Sequence, residues 1–391
     1  YLLDGGDGRT LAVESRMNPQ AQYGADVIMR ANYALEHGTE ALSMCVRKAV
    51  NEMLGSLAED AGIRREDVFQ VCVVGNTCMH HLFLGISPAS LVHAPYTPAV
   101  SERLVLNAGD YGLAVQERAE LIMLSDIAGY VGADTCGCLL AIRQDQQEEI
   151  SLMIDIGTNG EMVLGNRERM VTCSTAAGPA FEGAKIECGM RGAAGAVDHV
   201  KYEDGKWNYT TVGNKPAVGL CGSGLIDLVA GLLDAGMLDE NGVLRSGQEK
   251  QGVFILVLPE RGGNERGVYL TQKDLGEVQL AKAAIAAGIQ MLMERLGITE
   301  DDICSVYIAG AFGNYMDPVS AGKIGLFPAT LVKKVKPVGN AAGEGAKIAL
   351  VNEKEMLEMD ELVRKIEFVE LAASADFQDH FIDELGFETG E

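Results

Sequence analysis

The chain has 391 residues, 47% of them hydrophobic and 23% charged, with a formal net charge of −24. That length holds two domains or one large two-lobed one, and the acid excess disfavours nucleic acid as a partner. No apolar run reaches the ~18–20 residues that span a bilayer, and no basic start leads into an apolar stretch as in a signal peptide. The expectation is a cytoplasmic protein with no membrane partner.

Tyr1–Ser15 reads as a strand, a Gly-rich turn and a second strand. A domain seldom opens in mid-hairpin, so residues upstream of Tyr1 are expected. A long helical pattern then runs from Ala25 to Leu57, and Val68–Val74 is an apolar strand. Gly75-Asn76-Thr77 ends that strand, with Asn76 or Thr77 as the cap of a helix entered at Cys78. A helix of small residues is predicted over Ile127–Ile142, followed by a solvated, charged connection. Three short strands follow, SLMIDIG, GEMVLG and RMVTCST, separated by Thr-Asn-Gly and Gly-Asn-Arg turns. A long helix over Leu275–Leu296 precedes the strand Ser305–Ala309 and a Gly turn at Gly310–Gly313. The order of meanders and βα units predicts an α/β fold in which a mixed sheet flanked by helices occurs twice, in residues 1–142 and 143–391.

The nine cysteines are scattered, and the closest pair, Cys136 and Cys138, has no second pair at metal-ligand spacing. Several lie inside apolar runs, as free buried thiols do. No disulfide, zinc site or iron–sulfur cluster is expected, and the compartment is expected to be reducing. His80 and His81 are adjacent, but neighbouring helix positions point about 100° apart, which favours a core-edge or partner-facing role over shared metal ligation.

The sharpest chemical feature is Asp155-Ile-Gly157-Thr158-Asn159-Gly160-Glu161. A buried strand delivers a carboxylate to its end, and a turn of small residues reverses into the next strand. Such a hairpin offers inward N–H donors with hydroxyl and amide side chains to phosphate oxygens. The carboxylate suits Mg²⁺ held through water, or an attacking water. A plain hairpin with Asp as turn former is the competing local reading. Gly222-Ser223-Gly224 caps a further helix, with phosphate contact and a purely structural cap both open. Glu182 and Glu187 suit a place behind Mg²⁺ or a solvated helix start.

Four elements in order resemble the actin, sugar-kinase and heat-shock-chaperone superfamily over roughly residues 127–350. The small-residue helix resembles its connecting helix, and Asp155–Glu161 its second phosphate motif. Gly178-Pro-Ala-Phe-Glu-Gly183 resembles the loop near ribose and phosphates. Gly310-Ala311-Phe312-Gly313 resembles the adenosine motif, where absent side chains let purine and ribose lie on backbone. The resemblance implies two ribonuclease-H-like lobes around a nucleotide cleft, ATP and Mg²⁺ as ligands, and a polar residue such as Lys282 against adenine. It also implies a first phosphate hairpin upstream of Tyr1.

Longer strings narrow the likeness. NPQAQYGADVIMRANYA, VGNTCMHHLFLGI, STAAGPAFEGAKIECGMRGAAGAV, GLCGSGLIDLVAGLL and YIAGAFGNYMDPVSAGKIGLFP resemble the reductive activators of corrinoid-dependent enzymes across nearly the whole chain. Members carry an N-terminal [2Fe–2S] domain absent from this sequence, and use ATP to return a Co(II) corrinoid on a methyltransferase partner to Co(I). The partner so implied is a corrinoid protein, with Met79, Phe83 and Phe312 as apolar candidates to face it. A metabolite kinase and an actin-like scaffold are the competing classes. Oligomeric state, a homodimer included, stays open.

Overall fold

The Gly-rich turn near the N-terminus closes a hairpin in which β1 (Leu2–Leu3) runs antiparallel to β2 (Thr10–Ala12). The computed structural model describes residues 1–245, 252–263, 265–372 and 374–387. Its chain divides into two units. One comprises Tyr1–Gln147, Arg167–Met170 and Asn340–Phe368; the other comprises Glu148–Asn166, Val171–Gly339 and Val369–Glu391.

In the first unit the long helical pattern is two helices, α1 (Val27–His37) and α2 (Glu40–Ala61). The break falls at Gly38, which takes φ 85° and caps α1 by donating to the Ala34 carbonyl. β3 (Gln70–Val73) leads to Asn76, whose side chain accepts from the Cys78 amide and starts α3 (Thr77–Leu84). After the short α4 (Ala89–Val92), β4 (Leu104–Asn107) and β5 (Glu120–Met123) complete a sheet of order β3-β5-β4. The helix expected from Ile127 begins only at Ala133, as α5 (Ala133–Ile142). Ala128 and Val131 instead bridge across a tight turn, and Asp126 accepts from the Ala133 amide at 2.9 Å. Gly132 is extended, with φ −96° and ψ −170°, so the helix starts after it, and its backbone is pressed onto the preceding loop, where a Cβ would stand 2.5 Å from the Gly75 carbonyl oxygen.

The second unit opens on the expected meander, β6 (Ser151–Ile156), β7 (Gly160–Gly165) and β8 (Met170–Thr175). β9 (Ala196–Glu203), β10 (Lys206–Thr211) and β11 (Gly219–Leu220) form a separate small sheet. α6 (Gly222–Asp234), the pair β12 (Val253–Val257) and β13 (Val268–Thr271), and α7 (Gln272–Leu296) follow. β14 (Ser305–Ala309), α8 (Gly310–Gly313), α9 (Pro318–Lys323) and β15 (Val335–Gly339) complete its order. Neighbouring strands run β15-β14-β6-β7-β8, with β14 parallel to both β15 and β6, and β6 antiparallel to β7. Leu152, Ile154, Met162, Leu164, Ile285 and Ile289 are fully buried in one core. Each such side chain contributes about 1.5–3 kcal/mol, and this core fixes the strand ends on which the candidate site stands.

Two more helices return to the first unit, α10 (Ala341–Val351) and α11 (Glu353–Val363). α10 crosses α5 backbone against backbone, since a Cβ on Gly137 would lie 2.6 Å from the Ala342 carbonyl oxygen. That close approach explains the small-residue composition of α5. Asp360 on α11 accepts from Arg103 and Ser125, each at 2.8 Å. α12 (Ala375–Asp383) belongs to the second unit and meets α7 through His380 and Glu294, 2.9 Å apart.

Candidate nucleotide site

All the sequence candidates for nucleotide contact lie in the second unit. β6 carries Asp155 to its penultimate position, in register with Glu161 of β7 on one side and Ala309 of β14 on the other. Three half-buried residues, Gly157, Thr158 and Asn159, make the reversal into Gly160. The Gly157 amide donates to the Asn159 carbonyl at 2.9 Å, and the Thr158 carbonyl accepts from the Gly178 amide at 2.8 Å. The hairpin tip is thereby fastened to the loop after β8. Thr158 Oγ1 also donates to Glu182 Oε1 at 2.9 Å.

β14 ends beside this tip. Gly310 takes φ 85°, and a Cβ built there would stand 3.0 Å from Asp155 Oδ1. The carboxylate therefore lies against the Gly310 backbone, joining the hairpin tip to the turn after β14. Ala311 follows in α8, and Gly313 backs onto Ile308, where a Cβ would come within 2.6 Å of Cγ2. Phe312 stacks on buried Phe181 with ring centroids 5.8 Å apart and planes 17° from parallel. A Cβ on Gly222 would stand 2.7 Å from Phe312 Cε2, so the start of α6 meets the same stack. Asp155, Gly157–Gly160, Gly178, Gly222 and Gly310–Gly313 thus converge, although they span more than 150 residues of sequence.

Other candidates also make contacts within the protein. Ser223 Oγ donates to the Asp198 carbonyl at 2.8 Å, and Gly224 is pressed on β9, a Cβ there standing 2.9 Å from the Val197 carbonyl carbon. These two residues dock α6 on the small sheet. Lys282 is buried, and its ammonium donates to the Gly386 carbonyl, with Glu384 at 3.8 Å and the Phe387 ring 5.6 Å away. The loop at Gly178–Gly183 opens a single 3₁₀ turn, Ala180–Glu182, rather than a helix. Glu187 accepts from the Tyr269 hydroxyl at 3.1 Å, a bond that pushes the Tyr269 pKa up. The Glu187 amide donates to Asp274 at 2.9 Å.

The aromatic partner Phe181 and the anchor Asp274 were not among the sequence candidates. Asp274 had a readable signal, because Thr271-x-x-Asp274 is a capping box, with the Asp274 carboxylate accepting from both the Thr271 amide and hydroxyl at 2.9 Å. Phe181 had none, since a lone aromatic in a Gly-rich loop does not announce its stacking partner.

In the first unit, His80 and His81 are both buried and occupied. His80 Nδ1 lies 3.1 Å from Asp126 Oδ2; His81 Nδ1 lies 2.8 Å from the Thr77 carbonyl, and its Nε2 accepts from the Ala99 amide at 3.0 Å. A partner-facing role is incompatible with this burial. Phe83 is likewise core rather than a face for a partner, while Met79 is half-buried with its sulfur accepting from Arg30. Among the described residues, no three His, Cys, Asp or Glu side chains gather as metal ligands. Burial pushes the Cys72 and Cys78 thiols up to about 12, so neither is a ready thiolate. No described helix is long and apolar enough to cross a membrane.

Comparison with known proteins adds to this geometry. The family model described as the C-terminal domain of RACo, the ASKHA domain, matches residues 149–391, and that of the RACo middle region matches residues 1–147. The corrinoid activation enzyme RamQ of Eubacterium limosum is 35% identical over 98% of this chain and 67% of its own length. A reductase of Methanosarcina barkeri, named for the Co(II) methylated amine-specific corrinoid protein, is 26% identical over 94% of this chain and 71% of its own length. A solved structure, the reductive activator for corrinoid,iron-sulfur protein, superposes with a TM-score of 0.89 at 37% identity, covering 98% of this chain. This chain spans 63% of the length of that solved protein.

Proposed function

The chain belongs to the RACo family, across its middle region and its C-terminal ASKHA domain, and on that premise we propose that it is the nucleotide-binding part of an ATP-dependent reductive activator. Its target is a corrinoid protein of a methyltransferase or demethylase system, returned from Co(II) to Co(I). The relatives' names point the same way: one is a corrinoid activation enzyme and another a reductase of a Co(II) corrinoid protein.

The observation that carries the nucleotide half is the meeting of Asp155 with Gly310 beneath the hairpin tip. The backbone amides of Thr158 and Asn159 at the tip are suited to phosphate oxygens. Asp155 is suited to hold Mg²⁺ through water and to order a water for hydrolysis. The positive-φ turn at Gly310 leaves backbone, without a side chain, for the nucleoside to lie on. Phe312 and Phe181 brace that turn from behind. Ser223 and Gly224 dock α6 on the small sheet and Lys282 donates to the Gly386 carbonyl, so this reading gives them a supporting part, while Gly222 stands against the Phe312 stack. Reduction of Co(II) to Co(I) is uphill, and the nucleotide contributes by favouring one state of the activator–corrinoid complex over another. The iron–sulfur centre that supplies the electron is not built from this chain's cysteines.

Calorimetric titration with ATP, with and without Mg²⁺, tests the site. Wild type should bind Mg²⁺–ATP, and Asp155→Ala should weaken that binding about tenfold or more, the scale of one lost charge-assisted contact. Equal affinity in the variant would remove Asp155 from the site.

A further inference from the structure

We propose that Glu182 makes the hairpin selective for metal-bound over metal-free nucleotide. The proposal rests on the nucleotide reading above and deepens it. Glu182 ends the single 3₁₀ turn Ala180–Glu182, and its carboxylate is turned back onto the hairpin tip. Oε1 accepts from Thr158 Oγ1 at 2.9 Å and stands 3.6 Å from where a Cβ on Gly157 would be. It therefore lies directly at the turn whose amides are offered to phosphate.

The charge on Glu182 is not neutralised by protein. The nearby Lys185 pairs with Glu277 at 3.5 Å, and no ion pair to Glu182 exists among the described residues. Glu182 is exposed, so its carboxylate faces the same solvent from which a nucleotide would arrive. A fixed anion beside an anion-binding turn penalises a bare triphosphate by like-charge repulsion. A divalent cation bound to the phosphates would cancel that repulsion.

The hydrogen bond adds direction. A threonine hydroxyl has one proton, and Thr158 spends it on Glu182, leaving only lone pairs to offer. With its proton so placed, Thr158 can accept from metal-bound water but cannot donate to a phosphate oxygen. Both effects act in one sense, toward the metal complex. Glu182 is a positioning residue here, acting through charge and through Thr158.

Two variants separate these effects. Glu182→Gln keeps an acceptor for Thr158 and removes the charge; Glu182→Ala removes both. ADP and ATP affinities are measured by titration in excess Mg²⁺ and in EDTA, with thermal unfolding as a check on folding. For wild type, binding should be strong with Mg²⁺ and weak in EDTA. Glu182→Gln should strengthen binding in EDTA about tenfold and leave the Mg²⁺ complex within about threefold of wild type. Glu182→Ala should strengthen binding in EDTA and also weaken the Mg²⁺ complex. If both variants keep the wild-type ratio of the two affinities, Glu182 does not select for the metal and the proposal fails. If wild type binds no nucleotide under either condition, the underlying nucleotide reading fails, and this proposal with it.

Discussion

At Gly310 two steric conditions coincide: φ is 85°, and the Cβ position lies 3.0 Å from the Asp155 carboxylate. A β-branched residue in that conformation costs on the order of 1–3 kcal/mol, and its side chain would also displace Asp155. Gly310→Val should therefore stay folded in a protein of this size yet bind Mg²⁺–ATP at least about tenfold more weakly. Unchanged affinity with an unchanged melting temperature would take the turn out of the site. His80 gives a second residue-scale expectation. Burial opposes its charged form, but the hydrogen bond and charge of Asp126 outweigh that, and its pKa is raised above 6.5. A raised folded-state pKa adds stability that is full below pH 6.5 and is lost as pH rises through the folded value. Stability of wild type should thus decline across that interval, and His80→Gln should flatten the decline. A slope that survives the substitution would assign it to another group.

At the scale of elements, the N-terminus of α7 is held by one buried carboxylate. Asp274 accepts from the Thr271 amide and hydroxyl, and from the Glu187 amide in the loop after β8, all at 2.9 Å. Removing it leaves three donors without their acceptor, two of them backbone amides, so Asp274→Ala should destabilise the protein by about 2–4 kcal/mol. Chemical denaturation reads this directly, and a loss under about 0.5 kcal/mol would contradict the anchoring role.

The same scale shows what sequence could convey. β14 falls at the expected Ser305–Ala309, and the meander strands match to within a residue or two, because short apolar runs bounded by turn residues are local signals. The convergence at Asp155 was legible only through resemblance, since Gly310 lies 155 residues further along the chain. The break at Gly38 and the late start of α5 were missed, because a glycine inside a helical pattern does not reveal its φ or what presses on it. Glu182 could be weighed but not placed, since its partner Thr158 lies across a turn of the other strand pair. Resemblance put Lys282 forward as a ligand contact; the Gly386 carbonyl it also donates to lies 104 residues on and leaves no mark in the sequence.

At the scale of the whole molecule, a nucleotide bound in the second unit would act on a corrinoid protein. Nucleotide can do work on such a partner only if its bound state changes the free energy of the complex. The direct measurement is titration of this chain with a Co(II) corrinoid methyl-carrier protein, without nucleotide, with Mg²⁺–ADP and with a non-hydrolysable Mg²⁺–ATP analogue. Asp155→Ala serves as the control, at nucleotide concentrations that fill wild type but leave the variant largely empty. The account predicts affinities that differ among the three conditions by about fivefold or more for wild type, a coupling of about 1 kcal/mol, and that become equal in the variant. Equal wild-type affinities in all three conditions would contradict it.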